Sequence, residues 1–361
     1  MTRDKVFAGA GLLLICALFL GIAQPCSAQR SPGRHDAPLE QVPVSQAPSI
    51  QALAVGKDQA LYAGSFGQGV FRSHDQGKSW MSVSEGLSDG FILSLAIAED
   101  GRVYVGTLRG GVFRSDNEGK SWQALNGGLK RLEVKTLLTD GRVLYAGTGD
   151  GVYRLGDGDS HWARVTKGFD DLLIHTLVLG ADRTLFAGTS GKGVLRLKSN
   201  GSEWTRLSKG LKDHEGLVEN FIRVLALDRE QALYAGTFDG GVFRSADGGE
   251  TWLPISRSLP NDSIRGIVAS DKGLVVATGR GIFRTMSQGH KWLPLNKGLT
   301  ELSVQALVAP GGGVLYAGTS AGVFRSEDDG ESWAGISEGL GAAQESAAKS
   351  PWDHLGRSGK P

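Results

Sequence analysis

The sequence predicts an all-β chain, a seven-bladed β-propeller of four-stranded antiparallel blades. Three observations carry that prediction. Tryptophan recurs at Trp80, Trp122, Trp162, Trp204, Trp252, Trp292 and Trp333, at intervals of 42, 40, 42, 48, 40 and 41 residues. Within each interval the same four short segments follow in the same order. No helical period of ten or more residues runs through this body. A repeat of about 40–45 residues with strand content marks radially stacked sheets. One unit cannot bury its own faces, whereas seven in a ring can.

Ahead of the repeats, Arg3 and Lys5 precede an apolar stretch from Val6 to Ala23, then Pro25 and Cys26-Ser27-Ala28. Charged, apolar and small residues in that order predict a signal peptide over 1–28. Read instead as a retained anchor, the stretch is short for a bilayer and is diluted by Gly9, Gly11 and Gly21. Both cysteines, Cys16 and Cys26, fall in it. The mature chain therefore offers no disulfide, no Cys-ligated zinc and no Cys nucleophile. Residues 29–49, with Pro32, Pro38, Pro43 and Pro48, read as a Pro-rich linker in which Leu39, Val42 and Val44 have the makings of one edge strand. The propeller is expected over 50–340. Residues 341–361, which include Trp352, read as a loose C-terminal tail.

Each unit opens with an apolar strand, such as Ile50–Val55 or Ile92–Ile97, whose composition suits burial on both faces. A second strand ends in Gly: Leu61–Gly64, Val103–Gly106, Leu144–Gly147, Leu185–Gly188, Leu233–Gly236 and Leu315–Gly318, with a drifted sixth copy, Val275–Gly279. A third begins Gly-Val-Phe-Arg or a close variant, from Gly69–Arg72 to Gly322–Arg325. A fourth is expected to start at the Trp, as in Trp80–Val83. Gly, Asp and Ser bound all of these runs, which is turn chemistry. First and last strands are both present, so no borrowed strand is expected to close the ring.

Composition limits the function. Gly accounts for 54 of 361 residues, about twice the usual ~7%. Hydrophobic residues make up 40%, enough for a core. The net charge is +1, and Arg3, Asp4 and Lys5 account for it, leaving the rest neutral. A neutral chain lacks the broad field that drives non-specific nucleic-acid binding. No stretch after the first is long and apolar enough to span a membrane, so no integral span is expected once the signal is cleaved.

The turn before the Trp reads Ser73-His-Asp75-Gln-Gly77-Lys-Ser79-Trp80, and units five and seven match it at Ser245–Trp252 and Ser326–Trp333. Unit two has Asn117 for the Asp. Units three, four and six are degraded, keeping Asp157, Gly201 and Gly289. This S-x-D-x-G-x-[ST]-W pattern resembles the Asp-box (BNR repeat) of sialidases, xyloglucanases, the sortilin ectodomain and photosystem II stability/assembly factor-like propellers. The resemblance covers about residues 50–340 and implies the fold. It occurs in enzymes and binders alike. An Asp at such a turn accepts from backbone amides beyond it. One carboxylate per turn is too few for calcium, so no metal and no cofactor is expected. Arg72, Arg114, Arg154, Arg196, Arg244, Arg284 and Arg325 recur in every unit and read as structural. The Gly64-x-x-Gly67-x-Gly69 run reads as a hairpin, since no helix follows it.

The sialidases to which the pattern is similar use a Tyr nucleophile, a carboxylate base and an arginine triad. Here Tyr62, Tyr104, Tyr145, Tyr234 and Tyr316 share one repeat position and Tyr153 fills a third-strand position, so none is set apart. There is no N-terminal Arg-Ile-Pro element. The resembling xyloglucanases place their carboxylates between two propellers, and this chain has residues for one. The histidines, among them His74, His161 and His290, have no metal or nucleophile spacing. The expectation is an exported, periplasmic or extracellular, non-catalytic module that binds a protein or serves in assembly, by analogy with the photosystem II factors. The alternative is a glycoside hydrolase or glycan-binding propeller. The expected partner is a protein or a glycan, not nucleic acid.

Two sets of residues are candidates for binding. Aligned on the leading Ile or Val, the second position of the first strands holds Gln51, Leu93, Lys135, His175, Arg223, Arg265 and Gln305. These polar residues are expected to ring the channel mouth. Glu133, Asp89, Asp171, Glu219, Asp262 and Glu301 lie just before them, as an acidic rim that either neutralises the ring or frames it. A basic ring free to act would capture an acidic group. The second set is the insertion Lys212–Asn220, with Lys212, Asp213, His214, Glu215 and Asn220, behind the long 48-residue interval. Insertions in repeats often map to the binding face, and equally are tolerated as plain surface loops.

Overall fold

The computed structural model describes residues 47–341 except 170, 200, 213–219 and 271. These belong to one compact unit, Ser45–Pro361; a second, Met1–Val44, lies outside the described residues, as do the predicted signal peptide and most of the predicted linker and tail. Twenty-eight strands form seven four-stranded sheets, each pairing antiparallel in chain order. Among the described residues no helix is long and apolar enough to cross a membrane. The first strands pack side by side around the ring, and Val304–Gly311 of blade 7 packs against Ile50–Val55 of blade 1.

The second strand runs one residue past the predicted Gly end, as in Leu61–Ser65, and the Gly stands where the next blade's first strand arrives. A Cβ on Gly64 would lie 2.5 Å from Ile92 Cγ2, and one on Gly318 would lie 2.8 Å from Ile50 Cγ2. The latter contact closes the ring between blades 7 and 1 with the device used elsewhere. Blade 6 carries Ala277 at this place, and across the ladder from it stands Gly266.

The core is a set of seams. Each hydrophobic cluster joins residues of two neighbouring blades, as where Tyr104 and Val112 meet Val134, Leu144 and Trp162. All seven repeat tryptophans are buried. Six donate their Nε1 proton to a main-chain carbonyl of the preceding blade, from Trp122 to Val83 at 2.7 Å through to Trp80 to Ile336 at 2.6 Å across the closure. Third-strand arginines cross the seams too: Arg72 meets Glu118 at 2.7 Å, Arg196 meets Glu250 at 2.7 Å, and Arg325 meets Gln76 at 2.6 Å. Each partner lies in the next blade's turn. Arg114 and Arg244 instead bond within their own blades, to Asp116 and Tyr234.

The fourth strand does not start at the Trp in most blades. In six it is a two-residue strand just after it, such as Met81–Ser82; only blade 4 runs Trp204–Leu207. Four of these six blades carry the turn motif or its Asn117 variant, and blades 3 and 6 shorten the strand without the full motif. Asp75 accepts from Ser79 N at 2.9 Å and Ser79 Oγ at 2.6 Å, while Ser73 Oγ donates to Asp75 and accepts from Gly77 N at 2.8 Å. The chain up to the Trp is thereby held in a compact turn and taken out of the ladder. Asp247 and Asp328 do the same. Asn117 substitutes fully, its Oδ1 accepting from Ser121 N at 2.9 Å and its amide donating to Ser121 Oγ at 2.9 Å. In blade 6 Ser287 accepts from Lys291 N at 3.1 Å. In blade 3 Asp157 faces Arg102 of blade 2, and Asp159 accepts from Gly156 N.

Candidate functional site at the channel mouth

The hairpins between second and third strands share one face with the linkers between blades. Phe66 N donates to Ser49 O at 2.9 Å, and Gly67 N and Gly69 N both donate to Gly90 O at 3.0 Å. Thr or Ser side chains clasp these hairpins, as Ser65 Oγ does by donating to Gly69 O at 2.9 Å. The mouth is therefore framed by fixed backbone.

Onto this frame every blade adds a β-bulge at one place. The ladder between first and second strands skips Gln51, Leu93, Lys135, His175, Arg223, Arg265 and Gln305, the residues singled out in the sequence. A bulge leaves its extra residue unpaired and re-aims the side chain. All seven are half-buried, at the mouth end of strands that pack directly on one another.

The structure brings the basic members together. Burial pushes the His175 imidazole down to about 4, and the neighbouring Lys135 and Arg223 charges reinforce this against Glu133. The Arg223 guanidinium is held down to about 10, by burial first and then by Arg265; burial also lowers Arg265. His175 Nε2 shares a 2.6 Å hydrogen bond with Ser190 Oγ. Arg265 Nη1 and Gln305 Nε2 both donate to Ser303 Oγ, at 2.9 and 3.1 Å, and Gln51 Nε2 donates to Ser49 Oγ at 2.9 Å. The two glutamines thus tie down their own linkers.

Two members of the acidic rim are spent on the backbone. Buried Asp89 accepts from Arg109 N at 2.6 Å, Gly110 N at 3.0 Å and Phe91 N at 3.1 Å, and Glu301 accepts from Ser303 N at 2.6 Å. Lys135 pairs with Glu133 at 2.8 Å. Among the described residues no carboxylate pairs with Arg223 or Arg265, and Arg265 Nε is buried without an acceptor. Among the described residues, then, Lys135 is neutralised by its neighbour and the two arginines have no carboxylate paired with them.

Sequence reasoning missed the aromatic residues. Phe66, Phe221 and Phe238 stand on this face at 47%, 52% and 36% exposure. Arg223 lies over the Phe238 ring at 5.1 Å, and His175 meets the same ring edge-on at 5.0 Å. A second group is built alike: Arg109 over Phe91 at 4.8 Å, with Phe66 edge-on at 4.8 Å. These phenylalanines occupy two repeat positions, just before the first strand and two residues after the second-strand Gly, which are otherwise filled by Ser, Gly, Glu and Leu. That departure from the repeat was the available signal.

Of the insertion, Asp213, His214 and Glu215 lie outside the described residues. Lys212 is exposed. Asn220 belongs to the frame: its carbonyl accepts from Gly191 N and Gly193 N, as Gly90 does in blade 1, and its Oδ1 accepts from Arg206 at 2.7 Å.

No protein-family profile and no curated protein matches this chain in sequence. Solved structures do match in shape. The GH74 xyloglucanase of Xanthomonas campestris aligns at TM-score 0.65 and 16% identity over 81% of this chain and 55% of its own. An ancestral GH74 enzyme matches at TM-score 0.65 and 16% identity over 81% of this chain and 47% of its own. This chain spans about half the length of those enzymes. YCF48 from Cyanidioschyzon merolae matches at TM-score 0.62 and 14% identity over 80% of this chain and 98% of its own, and YCF48 is also matched in a structure bound to D1 peptide, at TM-score 0.61 and 12% identity over 77% and 93%. At such identities the likeness concerns the fold alone: the chain is a seven-bladed β-propeller, of the architecture that the matched parts of these enzymes and YCF48 display.

Proposed function

We propose that the chain is an exported, non-catalytic propeller whose channel mouth receives an extended segment of a partner protein, one carrying carboxylates beside apolar side chains. One observation carries this reading. Arg223 and Arg265, presented by bulges and with no carboxylate paired to them among the described residues, stand on the face that carries exposed Phe221 and Phe238, with Arg223 over the Phe238 ring. Cations in a partly desolvated funnel attract an acidic group, and exposed aromatic side chains on the same rim supply apolar contact. A glycan-binding or hydrolytic role is the second reading, favoured by the shape match to GH74 enzymes.

A peptide array of acidic and apolar sequences, run beside a glycan array and a fluorogenic glycoside panel, separates the two. Peptide binding that weakens with salt, and at least tenfold in Arg223→Ala plus Arg265→Ala, is the expected result. Salt-insensitive binding, or turnover of a glycoside, overturns it. For export, the mature protein is expected to start near Gln29; intact-mass measurement that finds Met1 on the extracted protein rules this out.

A further inference from the structure

The mouth rim carries its second aromatic–arginine group at blades 1 and 2, three blades from Phe238 and Arg223. Phe66 and Phe91 meet across an isolated antiparallel bridge, with their rings edge-on at 4.8 Å and 75°. Phe66 is 47% exposed, and Phe91 is half-buried. Exposed Arg109 lays its guanidinium over the Phe91 ring at 4.8 Å. The buried Asp89 carboxylate is taken up by the Arg109 and Gly110 amides, and among the described residues no ion pair holds the Arg109 side chain. The group therefore presents an open aromatic face beside a cation whose edge is available to a carboxylate.

The last described residue lies next to this group. Gly341 lines one recess, of about 390 Å³, together with Gly67 and Gly90, the chain neighbours of Phe66 and Phe91. Eleven residues further along the sequence stands Trp352, the one tryptophan outside the repeat, and Asp353 follows it. A flexible coil of that length spans roughly 17–20 Å and a helix about 16 Å, against ~10 Å between packed sheets. Either length reaches Phe66 and Phe91 from the recess. Tethering also sets a local concentration in the millimolar range, so a contact too weak to form between separate molecules is populated within one. An edge-on pair of rings accepts a third ring on its open face, and the adjacent Asp353 carries the charge that Arg109 lacks. We propose that the C-terminal tail folds back onto the mouth rim, with Trp352 packed on Phe66 and Phe91 and Asp353 paired with Arg109. The tail is then the resident occupant of this part of the rim, and any partner of blades 1 and 2 has to displace it. The contact uses neither Arg223 nor Arg265, so it stands or falls apart from the peptide-receiving reading above.

The test labels the full chain with 5-fluorotryptophan and reads fluorine NMR, the Trp352 resonance being identified by its loss in Trp352→Phe. A labelled synthetic peptide of residues 342–361 gives the position of the undocked indole. In the native chain the Trp352 resonance is expected to be broadened and shifted from that of the peptide, and to stay so on tenfold dilution. Phe66→Ser installs the residue that blades 4 and 7 carry at this place, Ser190 and Ser320. It is expected to return Trp352 to the peptide position while the seven repeat tryptophans and the melting temperature stay as they were. Arg109→Ala and Asp353→Asn, both remote from the core, are expected to move it part of the way. The mouth variant Arg223→Ala plus Arg265→Ala is expected to leave it unmoved, whatever that variant does to peptide binding. A native Trp352 resonance at the peptide position overturns the proposal and leaves the group open to a partner protein. So does a shift that survives Phe66→Ser and Arg109→Ala. A shift lost on dilution overturns it as well, by assigning the tail to a second copy of the chain.

Discussion

Blades 4 and 5 are neighbours with the same four strands, yet they end differently. Blade 5 keeps the full turn, in which Asp247 caps Thr251 N at 2.9 Å, and its fourth strand is two residues long. Blade 4 lacks the turn, and its fourth strand pairs over four residues, from Leu197 opposite Trp204 to Val194 opposite Leu207. The gain in ladder is accompanied by a loss at the seam. Elsewhere the carbonyl three residues past each Trp accepts the next blade's indole proton, as Ile255 O does from Trp292 at 2.9 Å. The corresponding acceptor for Trp252 would be Leu207 O, and Trp252 Nε1 is buried with no acceptor among the described residues. The packing itself survives, since Trp252 is 2% exposed and Gly249 sits against Leu207 as Gly77 sits against Ile336. What differs is the polar register of the seam: sheet hydrogen bonds within a blade, or side-chain hydrogen bonds between blades.

The largest expected effect is removal of an indole. Trp292→Ala and Trp252→Ala should each cost ~3–5 kcal/mol in urea unfolding, as for other large buried aromatics. The comparison sharpens with Phe in place of Ala. Trp292→Phe strands the Ile255 carbonyl, whereas Trp252→Phe removes a donor that already lacks an acceptor. The second should be the milder by ~1 kcal/mol; equal costs would show that the missing bond at the blade 4–5 seam is without consequence.

A smaller effect is expected at the turns. Asp247→Ala should cost ~1 kcal/mol, because water replaces part of what the carboxylate gives at an exposed turn. Asp247→Asn should cost less still, since Asn117 already does this work in blade 2. Hydrogen bonds from Thr251, first its side chain and then its amide, hold the Asp247 carboxyl down to about 2. A carboxyl depressed on folding stabilises above its unfolded value near 3.8 and loses that contribution as pH falls toward 2. The Asn variant should therefore show a weaker loss of stability across that window. Acid titration of both proteins, followed by melting temperature, checks it; identical acid limbs would disprove the assignment.

The ring was readable because its devices repeat. Trp, the second-strand Gly and the third-strand Arg each answer a contact made seven times, so periodicity exposes them. The bulge residues were readable for a related reason: at one aligned position the chain switches from apolar to polar in six of seven blades, Leu93 being the exception. What stayed hidden was pairing in space. Asp89 and Glu301 read as rim charge, and only the fold shows them accepting backbone amides. Phe238 gains its meaning from Arg223 and His175 around it, and these residues come from two different blades.

Closure of the ring has a consequence for how such a chain can vary. Blade 7 meets blade 1 through Gly318 against Ile50, Trp80 to Ile336 and Arg325 to Gln76, and among the described residues no sheet is shared between the two ends of the ring. Every blade is thus one uninterrupted stretch of sequence, with its neighbours held by nearest-neighbour contacts. A unit of about forty residues can in principle be duplicated, deleted or exchanged without cutting a strand pair. The number of blades is then set by the angle at which adjacent sheets pack, which side chains such as Ile92 against Gly64 control, and not by the threading of the chain.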